Sequence, residues 1–163
     1  MADRGSGDGA QAVCYLQALI FRGAAMTFAG MNLIAIVSAA VAAFMFGWLW
    51  YGLLFGEAWR RAIGWKRTEV QSQSPSPMPF IISFISLLVM ACVFSGVLRH
   101  TKIELTVANG LITGAFLWLG FVITTIGTNN RFRDAKTALT VIDGGHWLGV
   151  LLLQGAILGA FGP

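Results

Sequence analysis

Charge is what this chain has least of. Only 11% of its 163 residues are Asp, Glu, Lys or Arg, while 56% are hydrophobic; soluble domains average about 25% charged. The shortage excludes a water-facing globular surface, and a mean hydropathy of +0.73 points the same way. Cysteine is nearly absent. Cys14 and Cys92 are too few for a disulfide framework, and Cys92 sits inside an apolar run as a small buried thiol would. Histidine is limited to His100 and His146, which fall near opposite ends of the molecule's apolar layer. That placement excludes a haem held by two histidines of one chain, and the Cys/His count is too low for structural zinc. There is no Gly-rich phosphate loop and no nucleophile elbow. The net charge of +4 is not arranged as a basic groove interleaved with aromatics, so nucleic acid is not an expected partner. No cofactor, metal or enzymatic centre is therefore expected.

What is present is length in apolar runs. Crossing about 30 Å of hydrocarbon takes about 20 helical residues, and four segments suffice: roughly 32–55, 80–98, 105–128 and 140–161. None has an interior proline; Pro75, Pro77 and Pro79 precede the second segment, where a missing N–H costs little. Period-2 alternation is missing, which excludes a β-barrel, so backbone groups in lipid must be satisfied within helices. The short links around "RHTKIE" and "NNRFRDAK" make the second, third and fourth segments antiparallel neighbours. The expected fold is all-α, an integral membrane antiparallel bundle of four transmembrane helices. The first link ends in a Ser/Gln/Pro-rich stretch before Phe80, expected to be extended.

Lys and Arg set the orientation. Arg60, Arg61, Lys66, Arg67, Arg131, Arg133 and Lys136 lie on one side, against Arg4, Arg22, Arg99 and Lys102 on the other. Seven against four places loops 56–79 and 129–139 in the cytoplasm and both termini outside. Residues 1–30 read as an N-terminal extension, either an interfacial helix or sequence upstream of a start at Met26 or Met31, leaving residues 31–163 as the membrane domain.

Small residues mark the expected helix contacts. Ala35, Ala39, Ala43 and Gly47 recur at steps of four in the first segment. Gly110 and Gly114 do so in the third, and Gly145 with Gly149 and Gly155 with Gly159 in the fourth. Such faces serve packing within one copy or self-association. Trp48, Trp50, Tyr51, Trp59 and Trp65 gather at the cytoplasmic end of the first segment, where polar-edged aromatics anchor a helix in the headgroup zone.

The polar residues inside the apolar runs are the candidate site. At 100° per residue, Asp143, His146, Val150 and Gln154 share one stripe of the fourth helix. Asp143 then lies near the interface, His146 roughly 9 Å deeper than Thr140, and Gln154 near mid-membrane. The end of the third segment brings Thr124, Thr128 and Asn129 to the level of Asp143, so the expectation is one shared polar cluster. Intramembrane ionisable groups face a bundle interior or a wet cavity. Asp143 in a first turn also suits the helix dipole, with Arg60, Arg131 or Arg133 as counter-charges. Outward of Gln154 a polar path would need Thr113 or Asn109 from the third segment.

Four stretches carry a resemblance: "MNLIAI" from Met31, "FGWLWYGLLFGEAW" from Phe46, "FLWLGFVITT" from Phe116 and "VIDGGHWLGVLLLQGAILGA" from Val141. In that order they resemble domain-of-unknown-function family 1761 (DUF1761), across about Met31 to Ala160. The resemblance implies a small bacterial four-helix protein of the cell membrane and implies no activity. The leading expectation is a non-enzymatic scaffold, or a component binding membrane lipid or a membrane-protein partner, with self-association as a homo-oligomer expected through the small-residue faces. The alternative is a small transporter or channel subunit using the cluster around Asp143 and His146.

Overall fold

A computed structural model describes residues 27–28, 30–65 and 76–161. It is almost entirely helical. Four helices are long and apolar enough to cross a membrane: α1 (Leu33–Leu54), α3 (Met78–His100), α4 (Val107–Phe132) and α5 (Thr137–Phe161). A short α2 (Gly56–Ile63) follows α1. Ahead of α1, the two-residue strands β1 (Thr27–Phe28) and β2 (Met31–Asn32) pair in antiparallel fashion. The extended stretch expected before Phe80 and most of the expected N-terminal extension lie outside the described residues.

Local chemistry explains the helix starts. Asn32 turns its side-chain oxygen onto the N–H groups of Ile34 and Ala35, satisfying two orphan donors of α1. Thr106 does the same for Asn109 at the start of α4. Pro77 and Pro79 sit at the head of α3, where no N–H is required.

The segment 56–63, read from sequence as part of a loop, is helical. Ala62 is buried and Ala58, Trp59 and Ile63 are half-buried, whereas Glu57, Arg60 and Arg61 are exposed. This is a one-sided helical pattern too short to register beside 20-residue apolar runs. Glu57 in the first turn and Arg60 and Arg61 in the last match the helix dipole. Gly64, at φ 80°, ends the helix in the left-handed region that suits glycine. At its start, a Cβ on Gly56 would run into the Tyr51 carbonyl oxygen, so only glycine allows the chain to turn so soon after α1.

The fourth membrane helix, α5, is the hub. Of its most apolar stretch 44% is buried, against 11% for α4. Between α4 and α5 the backbones nearly touch: a Cβ on Gly110 or Gly155 would strike the other's carbonyl, and one on Gly159 would strike the Thr106 carbonyl. A Cβ on Gly114 would lie 2.7 Å from the Leu151 oxygen. Paired positions climb one helix as they descend the other. On the other side of α5, one cluster joins Ala35, Ile36 and Ala39 of α1, Ala91, Phe94 and Leu98 of α3, and Leu151 and Leu158. A second joins Ala40, Ala43, Leu87 and Val150. The Ala35–Ala39–Ala43 stripe is thus buried inside a single copy and is not free to meet a second one.

Large apolar side chains cover the outside. Met45 is 65% exposed and Phe116 70%, with Val93, Leu119 and Phe121 similarly bare. Such a surface suits hydrocarbon, not water.

Candidate functional site

Two wide turns shape the region around Asp143. In α1 the N–H of Phe55 reaches the carbonyl of Trp50, and in α4 that of Ile123 reaches Trp118, each five residues back. These are π-helical turns, which cluster at functional positions. Each begins within a matching tetrad, Leu49-Trp50-Tyr51-Gly52 and Leu117-Trp118-Leu119-Gly120. Both tryptophans turn inward onto α5. Trp50 Nε1 donates to the Ile142 carbonyl at 3.2 Å, and Trp118 Nε1 donates to the Gly144 carbonyl at 2.8 Å. Two indoles therefore bracket Asp143 from either side. The belt reading assigned to Trp50 and Tyr51 from sequence is corrected by these bonds, while Trp48 and Trp65 are exposed at the periphery. The recurrence of Leu-Trp-x-Gly was the available signal, and the sequence reading passed over it.

Asp143 itself takes a bond from α1. Tyr51 Oη donates to its Oδ1 at 2.9 Å. Because α5 begins at Thr137, the carboxylate sits almost two turns into the helix and is not a first-turn cap. Among the described residues no Lys or Arg pairs with it.

The polar cluster expected from the third segment is not assembled. Thr124, Thr128 and Asn129 are exposed on the periphery of α4. The Thr124 hydroxyl bonds back to the Gly120 carbonyl at 2.9 Å, and Thr125 to Phe121 at 2.6 Å, the usual way a helix absorbs such hydroxyls. The residue that turns inward is Asn130, whose Nδ2 donates to Thr140 Oγ1 at 3.0 Å. A shift of one residue rotates a side chain by 100°, and the widened turn at 118–122 displaces the face on which the later residues fall.

Gln154 is fully buried and clamps α5 to α3, its Nε2 donating to the Leu87 carbonyl at 3.0 Å. Gly145 and Gly149 face α1, where Trp50 and Phe46 occupy the space their side chains would need.

His146 is the unusual group. It is 7% exposed, and neither Nδ1 nor Nε2 has a hydrogen-bond partner. Aromatic rings enclose it: Phe46 stacked at 5.9 Å, Tyr51 at 4.7 Å, Trp147 edge-on at 5.1 Å and Trp50 at 6.4 Å. Its Nε2 points at Gly47, close enough that a Cβ there would lie 3.1 Å away. The imidazole lines a cavity of about 780 Å³ between the C-terminal half of α1 and the N-terminal half of α3. Phe44, Trp48 and Tyr51 wall one side, Phe80, Ser83 and Leu87 the other. Among the described residues that line it none carries a formal charge at neutral pH, with His146 neutral.

A family model described as a protein of unknown function, DUF1761, matches residues 34–159. The chain belongs to that family. No curated protein and no solved structure matches it. In this DUF1761 protein, Tyr51, Asp143 and His146 all lie inside the matched region, so the site belongs to the family part of the chain.

Proposed function

We propose that this DUF1761 protein is a non-enzymatic component of the bacterial cell membrane, an antiparallel four-helix bundle that takes up a lipid-soluble molecule between α1 and α3. The carrying observation is the roughly 780 Å³ groove with an unpartnered, buried imidazole in its wall. Apolar cavities of about 300–1,000 Å³ with one or two placed polar groups are the usual form of a small-molecule site. Leaving a buried donor and acceptor unmet costs about 1–3 kcal/mol, which a ligand recovers. The exposure of Thr124 and Thr128 on α4 favours this reading over a transporter or channel subunit. Tyr51, Trp50 and Trp118 lock the start of α5 in place. Loops 56–79 and 129–139 face the cytoplasm on this proposal, with the groove in the inner leaflet's half.

A photoreactive benzoylphenylalanine at Ser83, inside the groove, tests the reading against the same probe at Val93, which is 61% exposed on the outer surface of α3. Irradiation in native membranes should give an adduct at position 83 that is absent from the bulk-lipid mixture trapped at position 93. The same mixture at both positions would overturn it.

A further inference from the structure

We infer that the groove between α1 and α3 binds a neutral, flat, carbonyl-bearing ring on an apolar tail, the chemistry of a membrane quinone. The inference rests on the lipid-soluble-ligand reading above and specifies what the ligand must be.

Charge narrows the choice first. A phospholipid headgroup carries a phosphate, which needs Lys, Arg or a run of N–H donors. Among the described residues no Lys or Arg lines the groove, and its helical walls have their backbone donors engaged. An anionic head meets no cation there among the described residues. The imidazole narrows it again. Neutral histidine offers one N–H donor and one acceptor nitrogen, and neither nitrogen of His146 has a partner. Nε2 lies against Gly47, a groove-lining position without a side chain, and is closed off by protein atoms, so a ligand oxygen meets it only once the imidazole turns toward the groove. A carbonyl accepts from its N–H form, and the corresponding hydroxyl donates to its other tautomer, so one nitrogen serves both oxidation states of a quinone without a change of charge.

Shape completes the argument. Tyr51 and Trp147 stand 4.7 and 5.1 Å from the imidazole, and Trp48 and Phe80 flank the groove further out. Aromatic walls favour a planar ring by stacking or edge contact, about 0.5–1.5 kcal/mol per pair beyond area burial. Beyond them Phe44, Met45, Ile82 and Leu87 supply an apolar track for a tail. Met45 and Ile82 are exposed on the outer surface, so the track leads out to the acyl chains of the bilayer.

The test uses the full chain in lipid nanodiscs at fixed lipid content. A decyl-substituted benzoquinone and a naphthoquinone with the same tail are titrated while tryptophan fluorescence is read, since Trp48 and Trp147 line the groove. Saturable quenching is expected with at least one of them, and which binds more tightly identifies the ring class. Decylbenzene, which has the tail and a ring but no carbonyl, should compete about tenfold more weakly. His146→Phe keeps an aromatic ring but no nitrogen and should weaken quinone binding about tenfold, the loss of roughly one hydrogen bond. Gly47→Ala should weaken it similarly by crowding Nε2, and it decides the question if His146→Phe does not fold. Equal quinone affinity in wild type and a folded variant would overturn the inference, as would decylbenzene binding as tightly as the quinones or quenching that never saturates. A distinct adduct at Ser83 alongside any of those results would leave the lipid-soluble-ligand reading standing and remove only the quinone.

Discussion

Asp143 illustrates how a single residue changes meaning once its neighbours are known. From sequence it was an acid at a helix start beside threonines; in the fold it is almost two turns along α5 and held by the Tyr51 hydroxyl. The phenol helps an acid to be tolerated there, because a half-buried carboxyl group without a donor is costly in hydrocarbon. Tyr51→Phe removes that donor and little else. Hydrogen bonds between membrane helices average about 0.6 kcal/mol and reach about 1.7, so the variant should lose about 0.5–2 kcal/mol of stability, measured as a lowered midpoint in thermal unfolding in detergent. An unchanged midpoint would show that the bond contributes nothing. The stripe of Asp143, His146 and Gln154 was legible in the sequence because helical periodicity alone puts them on one face. Their partners were not legible. Tyr51 is 92 residues away from Asp143, and Leu87 is 67 away from Gln154.

At the scale of elements, α4 and α5 approach so closely that Gly110 and Gly155 leave no room for a methyl group. Small-residue spacing predicted such a contact, and between lipid-embedded helices close backbone approach replaces the hydrophobic force that operates in water. Gly110→Ala should force the helices apart and cost at least about 1–3 kcal/mol, the usual range for overpacking. Gly120→Ala, in the same helix, meets nothing within 4 Å and should unfold like wild type. Equal behaviour of the two variants would show that the α4–α5 seam does not carry the fold. The π-helical turns were less accessible. Both tetrads contain residues ordinary in any apolar helix, and the bonds their indoles make to carbonyls of α5 are visible only in the fold. The helix Gly56–Ile63 was missed for a different reason, since eight residues of amphipathic pattern are easily read as a charged loop.

For the whole molecule, the structure brings the two basic connections to one end. Lys136 Nζ donates to the Arg61 carbonyl at 3.0 Å, tying the link before α5 to α2. Thr101 and Lys102 turn the chain between α3 and α4, and Arg99 lies against Gly30 near the start of α1. The positive-inside bias then predicts which end faces the cytoplasm. In a background with Cys14 and Cys92 replaced by serine, Arg133→Cys should resist a membrane-impermeant maleimide in spheroplasts and react after lysis. Thr101→Cys should react in both. The reverse pattern would invert the orientation and move the groove to the outer leaflet's half. Self-association, if it occurs, needs a face other than the Ala35–Ala39–Ala43 stripe, which α3 and α5 already cover.

Composition and periodicity by themselves determined that four apolar helices exist, where they run and which faces carry small or polar residues. Those properties follow from length, hydropathy and the 100° step of one helix, and all are local. Only the tertiary structure decided that Asp143 meets Tyr51 and not Thr124, that two indoles grip α5, and that His146 is left without a partner in the wall of a groove. Each of those depends on the rotation of one helix against another. Backbone contacts through glycine and two widened turns set that rotation; the glycine spacing marks a contact face along the chain, but not which helix meets it or at what rotation.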